Sequence, residues 1–273
     1  MIILISVIAA IVVIWFLMLM PRIKHPENLS DYYTIKYAHR GLYDNIEVPE
    51  NSLAAFRKAA DNGYAVELDV HLTNDGQVVV FHDYSLMRMC GINRRIEELD
   101  YDEIRSFRLK DTKETIPTLQ DVLNEIDGKA TLLVEIKATY NNVKELCSMT
   151  DQVLSEYDGD YCVESFDPRV LFWYRINKPL IVRGQLSGYI NKHGDFYKAN
   201  GKRLNPFGDY FLRNLLVNCV GKPDFIAYRE ADRKNLSLRF CKAIFKIPIF
   251  YWTIKNDSYE KLGDKDTIIF EKR

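Results

Sequence analysis

Residues 37–83, YAHRGLYDNIEVPENSLAAFRKAADNGYAVELDVHLTNDGQVVVFHD, determine how the rest of the chain must fold. Ionisable side chains stand here among short apolar runs that are typical of buried strands. An unpaired buried charge costs several kcal/mol, so such groups must pair with one another, with a metal or with a charged ligand. The stretch therefore predicts a functional site built from His39, Arg40, His82 and the acidic residues Glu50, Glu67, Asp69, Asp75 and Asp83.

A strand and a hairpin are indicated within this stretch. Residues 65–72 form a predicted strand in which Glu67 and Asp69 share one face, because strand side chains alternate with a period of two. Asp75-Gly76 between two apolar runs is a strong hairpin signal. A two-residue turn at that point predicts that Asp69 lies directly across from His82.

Beyond the hairpin, apolar runs alternate with amphipathic segments, a pattern that predicts right-handed βαβ units and a parallel sheet. Polar residues stand at the carboxyl ends of several predicted strands, and in a closed (β/α)8 barrel all these ends meet at one mouth. An open doubly wound sheet would draw its site from fewer strands. We therefore predict an α/β fold, a TIM-type (β/α)8 barrel over residues 37–273, with the second hairpin arm as a surplus strand. The predicted strands cover residues 37–39, 65–72, 131–137, 161–166, 180–186, 224–228, 247–254 and 267–270.

Residues 1–20 are predicted to form a transmembrane anchor. From Ile2 to Met20 there is no charged side chain, and at 1.5 Å per residue the run reaches roughly 28 Å, close to the ~30 Å hydrocarbon core. A cleaved signal peptide and a buried soluble helix are the alternatives, but the basic n-region and small-residue cleavage site of a signal peptide are missing. Residues 21–36 are predicted to be a linker, and its Arg22 and Lys24 favour a single-pass protein with the barrel in the cytoplasm.

The composition of the chain limits the classes of ligand and partner that it can bind. The formal net charge of -1 argues against nucleic-acid binding, which needs a basic excess. The five cysteines are scattered without metal-ligand spacing, so neither a zinc site nor a disulfide scaffold is predicted. Residues 187–223 mix basic and aromatic side chains, which fits a membrane-surface contact, although an ordinary packed insertion is the favoured interpretation.

Three carboxylates define a predicted metal site. Glu67 and Asp69 lie on one strand, and Glu135 stands near the end of the strand predicted at residues 131–137. Such hard oxygen ligands suit Ca²⁺ or Mg²⁺.

The neighbouring basic residues indicate phosphodiester chemistry. His39 and His82 could exchange protons near neutral pH, one as base and one as acid. Arg40 offers a bidentate fork for phosphate, and Lys137 adds another cation. Phosphodiester cleavage needs these groups, because phosphoryl oxygens must be neutralised while protons move to and from the entering and leaving oxygens.

An ordered set of motifs resembles the glycerophosphodiester phosphodiesterase family. These motifs are HRG at residues 39–41, PENS at 49–52, ELDVHLTNDGQVVVFHD at 67–83, EIK at 135–137, ESF at 164–166 and YWTIKN at 251–256. HRG alone would be a weak signal, whereas the ordered set is specific and covers most of the chain after the linker.

The resemblance implies a TIM-barrel enzyme that hydrolyses glycerophosphodiesters to glycerol 3-phosphate and an alcohol. Lysolipids, which the anchor would bring close, are a further candidate substrate. It implies a divalent metal, Ca²⁺ or Mg²⁺. The site residues that it implies are Glu67, Asp69 and Glu135 for the metal, His39 and His82 for proton transfer with Arg40 on phosphate, and Glu50, Asn51, Lys137, Phe166 and Trp252 around the substrate.

Two departures from the family pattern leave alternatives open. The last strand of the family usually ends in a Thr-Asp pair, whereas residues 267–273 here read TIIFEKR, so Glu271 is the one candidate replacement. The 187–223 insertion also leaves the alcohol side of the substrate undetermined. A non-catalytic barrel that binds phosphate or lipid, and a phospholipase D-like diesterase for another lipid headgroup, are the competing hypotheses.

Overall fold

A computed structural model, which describes residues 1–193, 204–255 and 266–272, contains a closed barrel of eight parallel strands. The first strand pairs with both the second and the last, which closes the sheet and confirms the predicted TIM-type fold. One antiparallel strand lies outside the barrel. The strands are β1 Tyr37–His39, β2 Ala65–Leu72, β3 Val78–Val80, β4 Leu132–Ile136, β5 Tyr161–Ser165, β6 Arg183–Ser187, β7 Phe225–Arg229, β8 Ile249–Lys255 and β9 Asp266–Glu271.

Helices cover the outside of the barrel between successive strands. Several begin at side-chain caps that the sequence supplies, such as Ser52, whose hydroxyl accepts a hydrogen bond from the Ala55 amide, and Asp167, which is followed by proline at the first helical position. The helices are α1 Ile2–Leu19, α2 Leu29–Tyr33, α3 Leu53–Asp61, α4 Met87–Cys90, α5 Tyr101–Ile104, α6 Leu119–Ile126, α7 Val143–Leu154, α8 Pro168–Asn177, α9 Ile190–His193, α10 Pro206–Arg213, α11 Asn218–Gly221 and α12 Leu236–Phe240, which continues as a π-helix over Cys241–Phe245.

The surplus strand is the hairpin arm β3, as predicted, but the predicted register of the hairpin is wrong by one residue. Leu72 pairs with Val78, so the extrapolated partner of Asp69 is Phe81, whose amide donates to the Asp69 carbonyl. The cause is a three-residue loop that ends at Gly76 with a φ of +83°, because Thr73 and Gln77 pair across the turn. His82 therefore follows the end of the strand instead of facing Asp69 across it.

The barrel interior is sealed at its amino-terminal end by stacked aromatic rings. Phe225 stacks on Phe250 with ring centroids 4.0 Å apart, and Phe250 stacks on Tyr37 at 5.6 Å. Gly184 makes room for this stack, because a Cβ there would lie 2.0 Å from the Phe225 ring. The other end of the barrel stays open and holds the polar residues.

The segment predicted to be a linker, residues 21–36, packs against the floor of the barrel. Leu29 and Tyr32 of α2 are buried there. Arg22 and His25 both approach the buried carboxylate of Asp224, at 3.5 and 3.0 Å. The preceding helix α1 is long and apolar enough to cross a membrane, and most of its surface is exposed.

Part of the predicted insertion, residues 187–223, contributes a wall of the open end. Helix α10 buries Leu212 and leaves Phe207 and Tyr210 exposed, so the insertion combines a packed face with an exposed aromatic one. Residues 194–203 of the insertion, with Phe196, Tyr197, Lys198, Lys202 and Arg203, lie outside the described residues, as does Asn256 of the last motif.

Candidate active site

The carboxyl ends of the parallel strands bring the polar residues of distant motifs together. His39 on β1 is in register with Glu67 on β2. Asp69 on β2 is in register with Glu135 on β4, which in turn is in register with Glu164 on β5. Residues up to 125 positions apart therefore lie at one level of the barrel mouth.

Glu67, Asp69 and Glu135 form a compact buried carboxylate cluster. Each offers one oxygen, and these oxygens all lie within 4.8 Å of one another. Three oxygen donors that converge at this spacing suit a hard divalent cation. Burial, followed by the charges of Asp69 and Glu135, raises the pKa of Glu67 well above its usual range. The neighbouring cations thus leave part of the negative charge of the cluster unbalanced, and a divalent metal fits it.

Lys137 and Asn51 bind the carboxylate cluster through ionic contacts and a hydrogen bond. The Lys137 Nζ lies 3.0 Å from Asp69 Oδ1 and 2.9 Å from Glu135 Oε1. The Asn51 side-chain amide donates to Asp69 Oδ2 at 2.8 Å. Burial would raise the pKa of Asp69, but Lys137 and the neighbouring cations hold it well below its usual range. Asp69 is therefore the ionised centre of the group.

His39 is oriented by a carboxylate from the last strand. Its Nδ1 lies 3.0 Å from Glu271 Oε1. Burial would raise the pKa of Glu271, but the hydrogen bond and charge of His39 lower it to about 2. An ionised carboxylate only accepts, so Nδ1 must donate and Nε2 is the free nitrogen. That Nε2 lies 4.0 Å from Glu67 Oε2, beside the metal-fitting cluster.

His82 is held in the same manner. Its Nδ1 lies 2.5 Å from Asp83 Oδ1, which leaves Nε2 free. Burial and then the charge of Arg40 lower the pKa of His82 to about 4, and the same two causes lower the pKa of His39. Both imidazoles are therefore neutral near pH 7, and each offers an unprotonated nitrogen at the mouth.

Two arginines connect the second histidine to the carboxylate cluster. Arg88 donates to Asp83 Oδ2 at 2.6 Å and to both oxygens of Glu50, at 2.6 and 3.0 Å. Glu50 also accepts from Arg40 at 2.7 Å, and the Arg40 Nε lies 3.7 Å from Asp69 Oδ2. The result is an unbroken chain of alternating charges that fixes His82 relative to the cluster.

A cavity of about 1360 Å³ opens above these groups. Phe166 and Trp252 stand edge to face across part of it, with ring centroids 5.7 Å apart. Three predicted residues, Glu50, Asn51 and Asp69, do not line the cavity. They lie behind the residues that do and hold them through the contacts described above. Asp75, also predicted for the site, instead lies in the hairpin turn, where it accepts hydrogen bonds from the Thr73 hydroxyl and the Tyr101 backbone N–H. The predicted site residues that line the cavity are His39, Arg40, Glu67, His82, Asp83, Glu135, Lys137, Phe166 and Trp252.

Some contributing residues were missed or undervalued by the sequence reasoning. Arg88 carried no motif of its own, and its role follows only from its contacts with Asp83 and Glu50. The sequence offered Glu271 only as a candidate for the acidic residue at the end of the last strand. Its contact with His39 places it in the site. His71 is buried, with its Nε2 3.3 Å from the His82 carbonyl oxygen, and supports that segment. Glu164 lines the cavity with Oε2 unpaired among the described residues, and burial and Glu67 raise its pKa well above the usual range.

The sequence matches a known protein family. The model of the glycerophosphoryl diester phosphodiesterase family matches residues 39–262, which is most of the chain. The chain belongs to this family. The resemblance inferred from the HRG, ExD and EIK motifs is thereby confirmed.

Individual relatives agree with the family assignment. The chain is 39% identical over 225 residues to the glycerophosphodiester phosphodiesterase of Caldanaerobacter subterraneus subsp. tengcongensis, covering 77% of this chain and 90% of that one. It is 35% identical over 128 residues to the probable glycerophosphodiester phosphodiesterase 2 of Mycobacterium tuberculosis, covering 44% of this chain and only 47% of that one. Among solved structures, an Oleispira antarctica phosphodiesterase in complex with the product sn-glycerol-3-phosphate superposes with a TM-score of 0.69. That match covers 89% of this chain and 94% of the other at 22% identity, so it supports the fold.

Proposed function

We propose that this protein hydrolyses glycerophosphodiesters to glycerol 3-phosphate and an alcohol. The observation that carries the proposal is the pair of histidines, each held at Nδ1 by a carboxylate and free at Nε2, beside a buried carboxylate cluster that fits a divalent cation. Phosphodiester hydrolysis needs two proton-transfer groups and concentrated positive charge. Membership of the glycerophosphoryl diester phosphodiesterase family supports the same reaction.

Arg40 and Lys137 bind the phosphate in this proposal. Both side chains line the cavity, and both are already fixed by carboxylates at distances of 3.0 Å or less. Fixed cations neutralise phosphoryl oxygens without the reorganisation that mobile side chains would require. Phe166 and Trp252 pack against the remaining substrate surface, which restrains the diester next to the two histidines.

His39 and His82 move the protons. The neutral imidazole on one side of the phosphorus accepts a proton from the attacking water at Nε2. The opposite imidazole, protonated when the anionic diester binds, donates from Nε2 to the oxygen of the departing alcohol as the P–O bond breaks. Asp83 and Glu271 keep both rings in the required tautomer and stabilise the imidazolium form.

Glu67, Asp69 and Glu135 are proposed to hold Ca²⁺ or Mg²⁺, with Asn51 and Glu50 supporting the cluster from behind. When bound, the cation supplies electrophilic stabilisation to a phosphoryl oxygen. The carboxylate-only donor set favours these hard cations over zinc, which prefers nitrogen and sulfur ligands.

Lysolipids are proposed as substrates in addition to deacylated diesters. The cavity is larger than a glycerophosphodiester needs, since pockets for small ligands usually measure about 300–1,000 Å³. Its far wall is apolar and suits an acyl chain. This wall is formed by Leu186, Ile190, Leu204, Phe211, Leu212 and Val217.

We also propose that α1 anchors the protein in a membrane as a single-pass helix. Its length and uncharged surface support this role. Arg22 and Lys24 directly follow the helix, which favours a cytoplasmic barrel.

A substrate panel with the detergent-solubilised full chain tests the activity. Glycerophosphocholine, glycerophosphoglycerol and lysophosphatidylcholine are compared with the glycerol-free diester sphingosylphosphocholine, each with chelator, Ca²⁺ or Mg²⁺. We expect metal-dependent release of glycerol 3-phosphate, or its acyl form, and its loss in His39→Ala. Turnover of only the glycerol-free diester would favour the phospholipase D-like alternative, and binding without turnover would favour the non-catalytic barrel.

A further inference from the structure

An exposed apolar stripe runs along α12 and the π-helix that follows it. Leu236 is 78% exposed and Ile244 is 55% exposed, and Phe240 lies between them at the spacing that places the three on one face. We propose that this stripe lies in the headgroup and acyl-chain boundary of the bilayer. The proposal rests on the membrane anchorage proposed above and goes beyond it, because an anchor alone would not require the barrel to touch lipid.

Contacts with α1 indicate how deeply the apolar stripe lies in the bilayer. The Trp15 and Phe240 ring centroids lie 4.7 Å apart, and those of Phe16 and Phe245 lie 5.2 Å apart. Trp15 stands about 6 Å along the helix axis from Leu19, the last residue of α1, so it belongs at the interface where tryptophan is enriched. Phe240 shares that depth because it touches Trp15.

The junction between α1 and the barrel is too well bonded to act as a free hinge. Leu19 is fully buried, and its carbonyl accepts a buried hydrogen bond from the Asn218 side chain at 3.1 Å. The next carbonyl, that of Met20, accepts from the Lys222 Nζ at 2.9 Å. Because the barrel is fixed at the base of the helix, the flank that carries α12 must lie against the membrane surface.

Charge and position agree with an interfacial element. The exposed cations Arg239 and Lys246 flank the stripe and can reach anionic headgroups while the apolar residues enter the boundary. Leu236 lies four residues after the segment Glu230–Asp232, of which Glu230 lines the cavity. The stripe thus extends from the anchor to the rim of the mouth, and a lipid-like diester would reach the cavity without crossing open water.

Photo-crosslinking in the full chain tests the contact. Benzoylphenylalanine is placed in separate proteins at position 236, 244, 176 or 8, and each protein is reconstituted in nanodiscs that contain phosphatidylglycerol and phosphatidylcholine. Ile176 is the matched control, since it is 60% exposed and lies on α8, outside the stripe. Ile8 reports on the anchor itself. We expect lipid adducts at 8, 236 and 244, several-fold above those at 176.

The crosslinking results at the four positions distinguish the ways in which the inference could be wrong. Adducts at position 8 alone would overturn the inference and leave the anchor standing. Adducts at none of them would overturn the anchorage together with the inference. Protein-protein adducts at 236 and 244 would replace the bilayer with a second copy of the chain. Activity toward glycerophosphocholine, measured in parallel with Ile244→Glu, should match Ile176→Glu, because neither side chain belongs to the catalytic site.

Discussion

At the scale of single residues, Glu271 shows how one carboxylate can determine the state of a distant histidine. It stands 232 positions from His39 in the chain, yet it accepts the Nδ1 proton of that ring at 3.0 Å. A further partner of Glu271 is the half-exposed Lys255, whose Nζ lies 3.4 Å away. The glutamate side chain at the end of β9 thus reaches the histidine on β1.

Replacing Glu271→Gln should lower kcat about 10²-fold or more with little change in KM, since well-oriented acid-base groups contribute roughly 10²–10⁴-fold. The amide can present an NH₂ group to Nδ1, which favours the wrong tautomer. The measurement is kcat and KM for glycerophosphocholine across pH 5–9. Lys255→Gln is the matched control, because it removes an exposed ion pair of Glu271, leaves the contact with His39 in place and should keep most of the activity. Equal losses in both variants, or a loss confined to KM, would contradict a positioning role for Glu271.

Replacing Glu135→Gln should abolish the stabilisation that a divalent cation gives to the fold. A ligand that binds only the native state stabilises it by RT ln(1 + [L]/Kd), so weaker binding gives a smaller rise in Tm. Loss even of groups that support a metal ligand typically costs about 10–100-fold in affinity. Thermal unfolding is followed with chelator and with increasing Ca²⁺ or Mg²⁺. Glu164→Gln is the comparison, since this neighbouring carboxylate lies outside the three-residue cluster.

A metal-dependent rise in Tm that survives in Glu135→Gln would show that the cation binds elsewhere. If the metal-dependent rise in Tm is lost in Glu164→Gln but kept in Glu135→Gln, the cation site lies nearer β5.

At the scale of elements, the turn between β1 and α3 positions both catalytic and supporting residues. Gly41 has a φ of +80°, and Arg40 and Asn51 also adopt left-handed backbone, at 57° and 54°. The Arg40 carbonyl accepts from the Asn51 amide at 3.0 Å, which ties the two ends of the loop together. This arrangement brings the side chains of Arg40 and Asn51 to the same carboxylate oxygen, Oδ2 of Asp69.

Gly41→Ala should be strongly destabilising and should reduce activity as well. Left-handed backbone costs a non-glycine residue about 1–2 kcal/mol, and a Cβ here would also lie 2.7 Å from the backbone carbon of Ala55 in α3. The control is Gly76→Ala, which has a similar φ of +83° and nothing within 4 Å. Urea unfolding in mild detergent should show a clearly larger loss for Gly41→Ala. Equal losses would mean that the close approach of α3 does not matter.

Element boundaries were largely readable from the sequence, and the one wrong register has a local cause. The alternation in residues 65–72 and the apolar run at the EIK motif locate β2 and β4 because burial on the barrel requires those patterns. The hairpin prediction failed because Asp-Gly is compatible with both two- and three-residue loops, and the pairing of Thr73 with Gln77 selects the longer one. Short-range chemistry therefore identified the turn without determining its register.

At the scale of the whole molecule, Asp224 joins the segment after α1 to the barrel floor. It accepts from the Arg183 amide at 3.2 Å and lies 3.5 Å from Arg22 and 3.0 Å from the His25 Nδ1. Arg183 itself is buried, with its Nη1 3.9 Å from the same carboxylate. One acidic side chain therefore balances cations from two distant parts of the chain.

Asp224→Asn should cost about 3–5 kcal/mol of unfolding free energy, because it leaves the buried Arg183 without its counter-charge. Arg22→Gln should cost less, about 0–1 kcal/mol, because that side chain is partly exposed. Both are measured by urea unfolding of the full chain in detergent. If the two variants lose the same stability, the junction between α1 and the barrel depends on the contact with Arg22 instead of on charge balance at Arg183.

By itself, the sequence determined the chemistry of this protein and the elements that carry it. Ordered motifs with two histidines, three carboxylates and an HRG arginine identified the family, because residue types and strand periodicity are local properties of a chain. Tertiary structure alone decided which carboxylate orients each histidine, that Arg88 connects Asp83 to Glu50, and that residues 21–36 pack on the floor around Asp224. The contacts of His82 and Arg88 with Asp83 are local, but the others join residues tens to hundreds of positions apart, and only the folded barrel brings those residues together.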